Sequence, residues 1–165
     1  MAESNRDRIN PSLLDRLTDE APGNASARGS PATLSELRKS VLRDLNWLFN
    51  TSQLLKPEEA ASWPQVRNSV LNYGLPAMSG ETASTFDVIT LENGIRQAII
   101  DFEPRIDSNT LQVEAQVAEV ALDHHNQIQV QIRGNLWAQP VPIELLLRTD
   151  VDLETGQVEI RDLAR

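Results

Sequence analysis

The spacing of hydrophobic positions changes once along the chain, near residue 105: helical periods precede it and strict alternation follows it. Leu34, Leu37, Val41, Leu45 and Leu48 recur at intervals of three and four, with Leu42 and Phe49 widening the stripe, which predicts an amphipathic helix over 34–49. Thr33 followed by Glu36 supplies its capping box. Ile95, Ala98, Ile99 and Phe102 line one face of a second helix. That helix stops at Glu103, because Pro104 brings no amide hydrogen and pushes its predecessor toward extended geometry. Upstream, Ser84 with Asp87 and Thr90 with Asn93 are two cap signals in quick succession, and Gly94 weakens a helix by about 1 kcal/mol relative to alanine. One broken helix or two short ones are expected there, with the broken version favoured.

Between Asn50 and Gly80 the chain carries Pro57, Pro64, Gly74, Pro76 and Gly80, so regular structure should be short. A helical turn is expected over Pro57–Ala61. An apolar face of Val66, Val70, Leu71 and Tyr73 then leads into a turn at 72–76. After Arg105, Leu111, Val113, Ala115 and Val117 alternate with polar residues, and a change of parity predicts a bulge near Ala118. Asp123 to Asn126 reads as a hairpin turn. Ile128, Val130, Ile132 and Leu136 make a second strand with one wet face, Gly134 permitting a bend or a close approach. Val141 to Leu153 makes a third, and the turn 152–156 leads to a short fourth over 157–161. The expected architecture is α+β, with N-terminal helices covering one face of a C-terminal antiparallel sheet of three long strands and a short fourth.

Ahead of this lies a small unit over 9–17. Asn10 can cap it, Pro11 suits the first helical position, and Ile9, Leu13, Leu14 and Leu17 form its stripe. A helix this short is marginal alone, so it must dock on its own domain or on another protein. Residues 19–32, with Pro22, Gly23, Gly29 and Pro31, read as a flexible connector. The expected organisation is therefore a flexible arm over 1–32 and a single domain over 33–165.

Composition narrows the function. Forty per cent of the 165 residues are hydrophobic and only 4 % aromatic, enough for an aliphatic core. A net charge of −9 disfavours wrapping nucleic acid, which needs a basic surface. There is no cysteine, hence no disulfide or thiolate chemistry. No run is long and apolar enough to insert in a membrane and the first residues do not read as a secretory signal, so a cytoplasmic protein is expected.

Candidate chemistry is sparse. His124 and His125 sit together in a turn, where adjacent side chains diverge rather than converge on a metal, so no metal or cofactor site is expected. A glycosidase would need two carboxyl groups roughly 5–9.5 Å apart across a cleft, one of them with a raised pKa. Nothing marks such a pair, and no catalytic residue is assigned. Glu103 is the more informative carboxylate. The negative end of a helix dipole opposes it by roughly 0.3–1 kcal/mol, so it needs a cation, either Arg105 or an arginine of a partner.

The run Phe102-Glu103-Pro104-Arg105-Ile106 resembles the Glu-Pro-Arg motif of the phage baseplate wedge family, also described as tail lysozyme-like. Three further blocks are similar to the TssE branch of that family, which serves type VI secretion: Ser12-Leu13-Leu14-Asp15-Arg16-Leu17, the helix from Ser40 to Asn50-Thr51, and Asn72-Tyr73-Gly74-Leu75-Pro76. The resemblance implies a structural subunit of a type VI secretion baseplate at the cytoplasmic face of the inner membrane. It implies that Glu103, Pro104 and Arg105 dock on a core of TssF and TssG, with TssK and the sheath subunits as further partners. It also implies that a sheet edge accepts a sheath strand. Leu13 and Leu14 are expected to bind a partner as well. Reversing the charge of Arg105 should then abolish docking and leave the fold intact. The alternative implied by the lysozyme label is a peptidoglycan-cleaving enzyme.

Overall fold

Thr33 accepts the Glu36 amide while the Glu36 carboxylate takes the Thr33 amide, a reciprocal cap that starts helix α2 at Leu34 and lets it run to Phe49. In the computed structural model, residues 12–18, 33–77, 87–117, 127–138 and 142–163 are described. The helices are α1 (Leu13–Leu17), α2 (Leu34–Phe49), α3 (Pro57–Ala60), α4 (Pro64–Arg67) and α5 (Val88–Phe102), with a 3-10 turn at Val70–Asn72. The strands are β1 (Gln112–Val117), β2 (Gln127–Leu136), β3 (Ile143–Asp152) and β4 (Val158–Asp162). They form one antiparallel sheet in the order β1-β2-β3-β4. This is the expected α+β architecture.

The alternation in the sequence places Ile128, Val130, Ile132 and Leu136 of β2 and Leu145, Leu147, Thr149 and Val151 of β3 on the buried face. Leu37, Val41, Leu45 and Leu48 of α2 and Leu91, Ile95, Ala98 and Ile99 of α5 share one core with them. Each large aliphatic side chain so buried contributes about 1.5–3 kcal/mol. The opposite face carries exposed Glu114, Gln116, Arg133, Glu144 and Arg148 and stays wet.

Three expectations are corrected. Helix α5 is continuous through Gly94, starting from the Asp87 cap, because the buried stripe of Leu91, Ile95 and Ala98 outweighs the propensity loss. A Cβ at Gly94 would stand 3.6 Å from Pro76, which packs against it. The apolar face drawn from Val66 to Tyr73 does not exist as one helix: the segment splits into α4 and the 3-10 turn, and Val70 and Leu71 are exposed, at 82 % and 65 %. Finally, α1 is capped by Ser12, whose hydroxyl accepts the Asp15 amide, rather than by Asn10. Asn10 and Pro11, the connector over 19–32, Ser84, the bulge near Ala118 and the turn with His124 and His125 lie outside the described residues.

Candidate functional site

Four separate stretches of the sequence meet at one side of α2. Helix α5 ends at Phe102 with Glu103 as its C-cap, as Pro104 dictates. The chain then crosses to the sheet: Ile106 bridges Leu136, and the Trp137 amide donates to the Arg105 carbonyl at 2.7 Å. Gly134 makes the crossing possible, since a Cβ there would stand 3.3 Å from Ile106 and 3.7 Å from the Leu111 backbone. Glu103 and Arg105 are thereby held on either side of an exposed proline, beside the middle of α2.

Arg105 uses its whole fork inside the subunit. Its Nε–H donates to Glu103 Oε1 at 2.6 Å, one terminal amino group donates to Ser40 Oγ at 2.6 Å, and the other serves both Glu103 Oε2 and Asp44 Oδ2. The Arg105 amide also donates to Glu103 Oε1, at 3.2 Å. Burial works against the charge of this guanidinium, but Glu103 and Asp44 outweigh it and hold its pKa above the ordinary arginine value. Glu103 is only 3 % exposed. Its carboxylate therefore faces inward, which corrects the expectation that both charges are offered to a partner. Pro104 is exposed, and the Arg105 side chain keeps a quarter of its surface in solvent.

One turn of helix away, Arg43 repeats the pattern. It pairs with Asp44 and with Asp15 of α1, reaches Ser12 Oγ at 3.4 Å, and lies over the Trp47 ring at 5.3 Å. The carboxyl group of Asp15 is slightly desolvated by burial, yet hydrogen bonds from Arg43 and Ser12 hold its pKa below the usual carboxylate range. The result is a ladder, Asp15–Arg43–Asp44–Arg105–Glu103, that ties α1 to α2 and α2 to the exit of α5. Tyr73 closes it from the fourth stretch. Its hydroxyl donates to the Asp44 carbonyl at 3.3 Å, its ring meets Phe102 edge-on at 5.2 Å, and burial followed by the charges of Asp44 and Glu103 pushes its pKa up.

Docked by its polar side, α1 turns its leucines away. Leu13 is 70 % exposed, Leu17 74 % and Leu14 40 %, and Trp47 is half exposed beside the Arg43 clasp. The sequence pattern left open whether this stripe covers the body; the structure directs it outward. The surface around the ladder thus combines Pro104, the rim of Arg105 and a run of leucines exposed among the described residues.

This arrangement suits recognition. Asp15, Asp44 and Glu103 are each bonded to an arginine, so all three carboxylates are already engaged within the subunit. Among the described residues no group of three or more His, Asp or Glu side chains converges as a metal site, and no helix is long and apolar enough to cross a membrane. A cleft of about 340 Å³ opens near the end of α2, lined by Asn50, Thr51, Pro76, Thr155 and Gln157 among others, none of them a carboxylate.

The sequence pattern missed Ser40, Arg43 and Asp44 as parts of the site. Their signal was present: a serine and two charges on a helix whose other buried positions are hydrophobic. No curated protein and no solved structure matches the chain. A family model described as baseplate wedge protein gp25 matches residues 35–141, which include α2 from its second residue, the 72–76 turn and the Glu-Pro-Arg stretch but leave α1, β3 and β4 outside.

Proposed function

The chain belongs to the family of the baseplate wedge protein gp25, a family of phage-baseplate-like structural proteins, and from that premise we propose that it is a TssE-type subunit of a type VI secretion baseplate. It docks on a core of TssF and TssG through the surface formed by Pro104, the exposed rim of Arg105, Leu13 and Leu14. TssK and the sheath subunits are further partners, and the assembly stands at the cytoplasmic face of the inner membrane. The observation that supports this reading is the ladder itself. It fixes an exposed proline and a row of exposed leucines in one relation to each other, using ion pairs made within the subunit. Glu103 contributes by holding Arg105 rather than by touching the partner.

The sheet supplies the second contact, a strand of the sheath added to an open edge. At the β1 edge the Ala115 amide points away from β2 and donates to Glu92 of α5 at 2.7 Å, and α5 lies along that strand. We therefore assign the added strand to the β4 edge. Because α1 is held by polar contacts, Leu13→Glu with Leu14→Glu should leave the circular dichroism spectrum and melting temperature unchanged. The same pair should reduce co-purification with TssF and TssG by about tenfold or more. Undiminished co-purification would overturn the docking surface. The purified protein is also expected to leave a peptidoglycan suspension turbid.

A further inference from the structure

Helix α2 holds its two neighbours in different ways. Toward the sheet it buries Leu37, Val41, Leu45 and Leu48, and polar clamps secure that packing. The Val158 N–H of β4 donates to Asn50 Oδ1 at 3.0 Å and the Asn50 side-chain N–H donates back to the Val158 carbonyl at 2.9 Å, while Arg38 grips the Asp162 carboxylate and donates to the Glu144 carbonyl at 3.0 Å. Toward α1 the contact is polar. Asp15 pairs with Arg43 and lies near Ser40, and Ser12 Oγ is 3.4 Å from Arg43, whereas none of Leu13, Leu14 and Leu17 belongs to the hydrophobic core.

A contact of that kind is easily undone. The side chains of Arg43 and Asp15 keep 33 % and 29 % of their surface in solvent, and an ion pair so exposed contributes little and is screened by salt. Opening it strands no charge. Asp15 returns to water, and Arg43 keeps Asp44 at 3.0 Å and the Trp47 ring at 5.3 Å. An element without buried apolar contacts lies at the low end of local stability. The three leucines nevertheless stand in their present place, around the ladder with Pro104 and the rim of Arg105, only while this contact holds.

We propose that Asp15 and Arg43 form a releasable latch that regulates docking: closed, it parks α1 with its leucines on the same surface as Pro104; open, it lets the short helix leave α2 and breaks that surface up. Both are positioning residues, since neither has to touch the partner. The apparent affinity of a surface falls with the fraction of molecules that present it. The salt sensitivity of one exposed ion pair thereby becomes a salt sensitivity of docking through leucines, which carry no charge. This inference rests on the docking surface proposed above.

The chain has no cysteine, so Thr18→Cys with Lys39→Cys, both at exposed positions, gives a unique pair of spin labels on the end of α1 and on α2 of the full chain. In the unbound native background the distance distribution should be narrow at low salt and broaden toward about 1 M, where charges are screened beyond about 3 Å. Asp15→Asn should be broad at every salt concentration, and Asp15→Glu, which keeps the charge, should stay narrow at low salt. A narrow distribution in Asp15→Asn, or a broad one in the native chain or in Asp15→Glu at low salt, would overturn the latch. Without the labels, Asp15→Asn should weaken binding to a purified TssF and TssG core about threefold or more. Adding Arg43→Gln should weaken it no further than the larger of the two single changes does, because the two residues act as one pair. Losses that multiply would mean that these side chains meet the partner directly, and undiminished binding of Asp15→Asn would uncouple α1 from docking; either result overturns the proposal. Undiminished binding of the double glutamate variant at Leu13 and Leu14 would instead overturn the docking surface, a failure that the distances in the unbound chain keep apart from failure of the latch.

Discussion

Glu103 and Arg105 are joined twice across Pro104, the guanidinium meeting both oxygens of a carboxylate that is itself almost fully buried. Breaking such a pair from one side leaves an uncompensated buried charge, which costs about 3–5 kcal/mol. Arg105→Ala should therefore lower unfolding stability by that amount in urea titrations. Arg105→Glu should do more damage, since it would place a third carboxylate against Glu103 and Asp44. A charge reversal here acts on the fold before it acts on docking, contrary to what the motif alone implies.

Gly74 has φ of +124°, and a Cβ on it would stand 2.2 Å from the Thr51 carbonyl oxygen, which accepts the Leu75 amide at 2.8 Å. Gly74→Ala combines backbone strain with a clash against main chain that has nowhere to move. A loss of about 2–4 kcal/mol is expected, read as an earlier urea midpoint with an unchanged slope.

Thr149 is completely buried on β3 and its hydroxyl has no hydrogen-bond partner among the described residues. Valine has the same shape without the hydroxyl, so Thr149→Val removes an uncompensated polar group from the core. The variant should be more stable by about 1 kcal/mol, with a higher melting temperature. A less stable variant would contradict the assignment of that hydroxyl as unpaired.

The clasp between α1 and α2 should respond to acid. Asp15 has a depressed pKa in the folded chain, so its contribution is present above the unfolded carboxylate value of about 3.9 and disappears as pH falls through the folded value. Both partners keep roughly a third of their surface in solvent, so the contribution is modest, within about 1 kcal/mol, and weakens in salt. Trp47 lies under Arg43, so its fluorescence should report the release below pH 4, and Asp15→Asn should show the released signal already at pH 7.

Local signals carried much of the fold. The cap at Thr33 and the aliphatic spacing of Leu37, Val41 and Leu45 placed α2 at the residues observed. Pro104 placed the end of α5. What was not legible depended on partners distant in sequence. Gly94 looked like a break because Pro76, which packs on it, cannot be read from the helix pattern. Val70 and Leu71 looked like core because exposure is a tertiary property. The recognised motifs contained Asp15, Asp44, Glu103 and Arg105, yet the bond from Arg105 to Asp44 spans 61 positions and no spacing rule reveals it. For the same reason the inward turn of Glu103 became visible only in three dimensions.

The sheet's two borders are unlike. Glu92 covers β1 where the Ala115 amide looks outward, whereas Asn50 and Arg38 of a single helix take hold of β4 at its two ends. A helix pinned to a border strand at two points resists both lifting and sliding, so that border of the sheet and α2 should open together rather than one after the other.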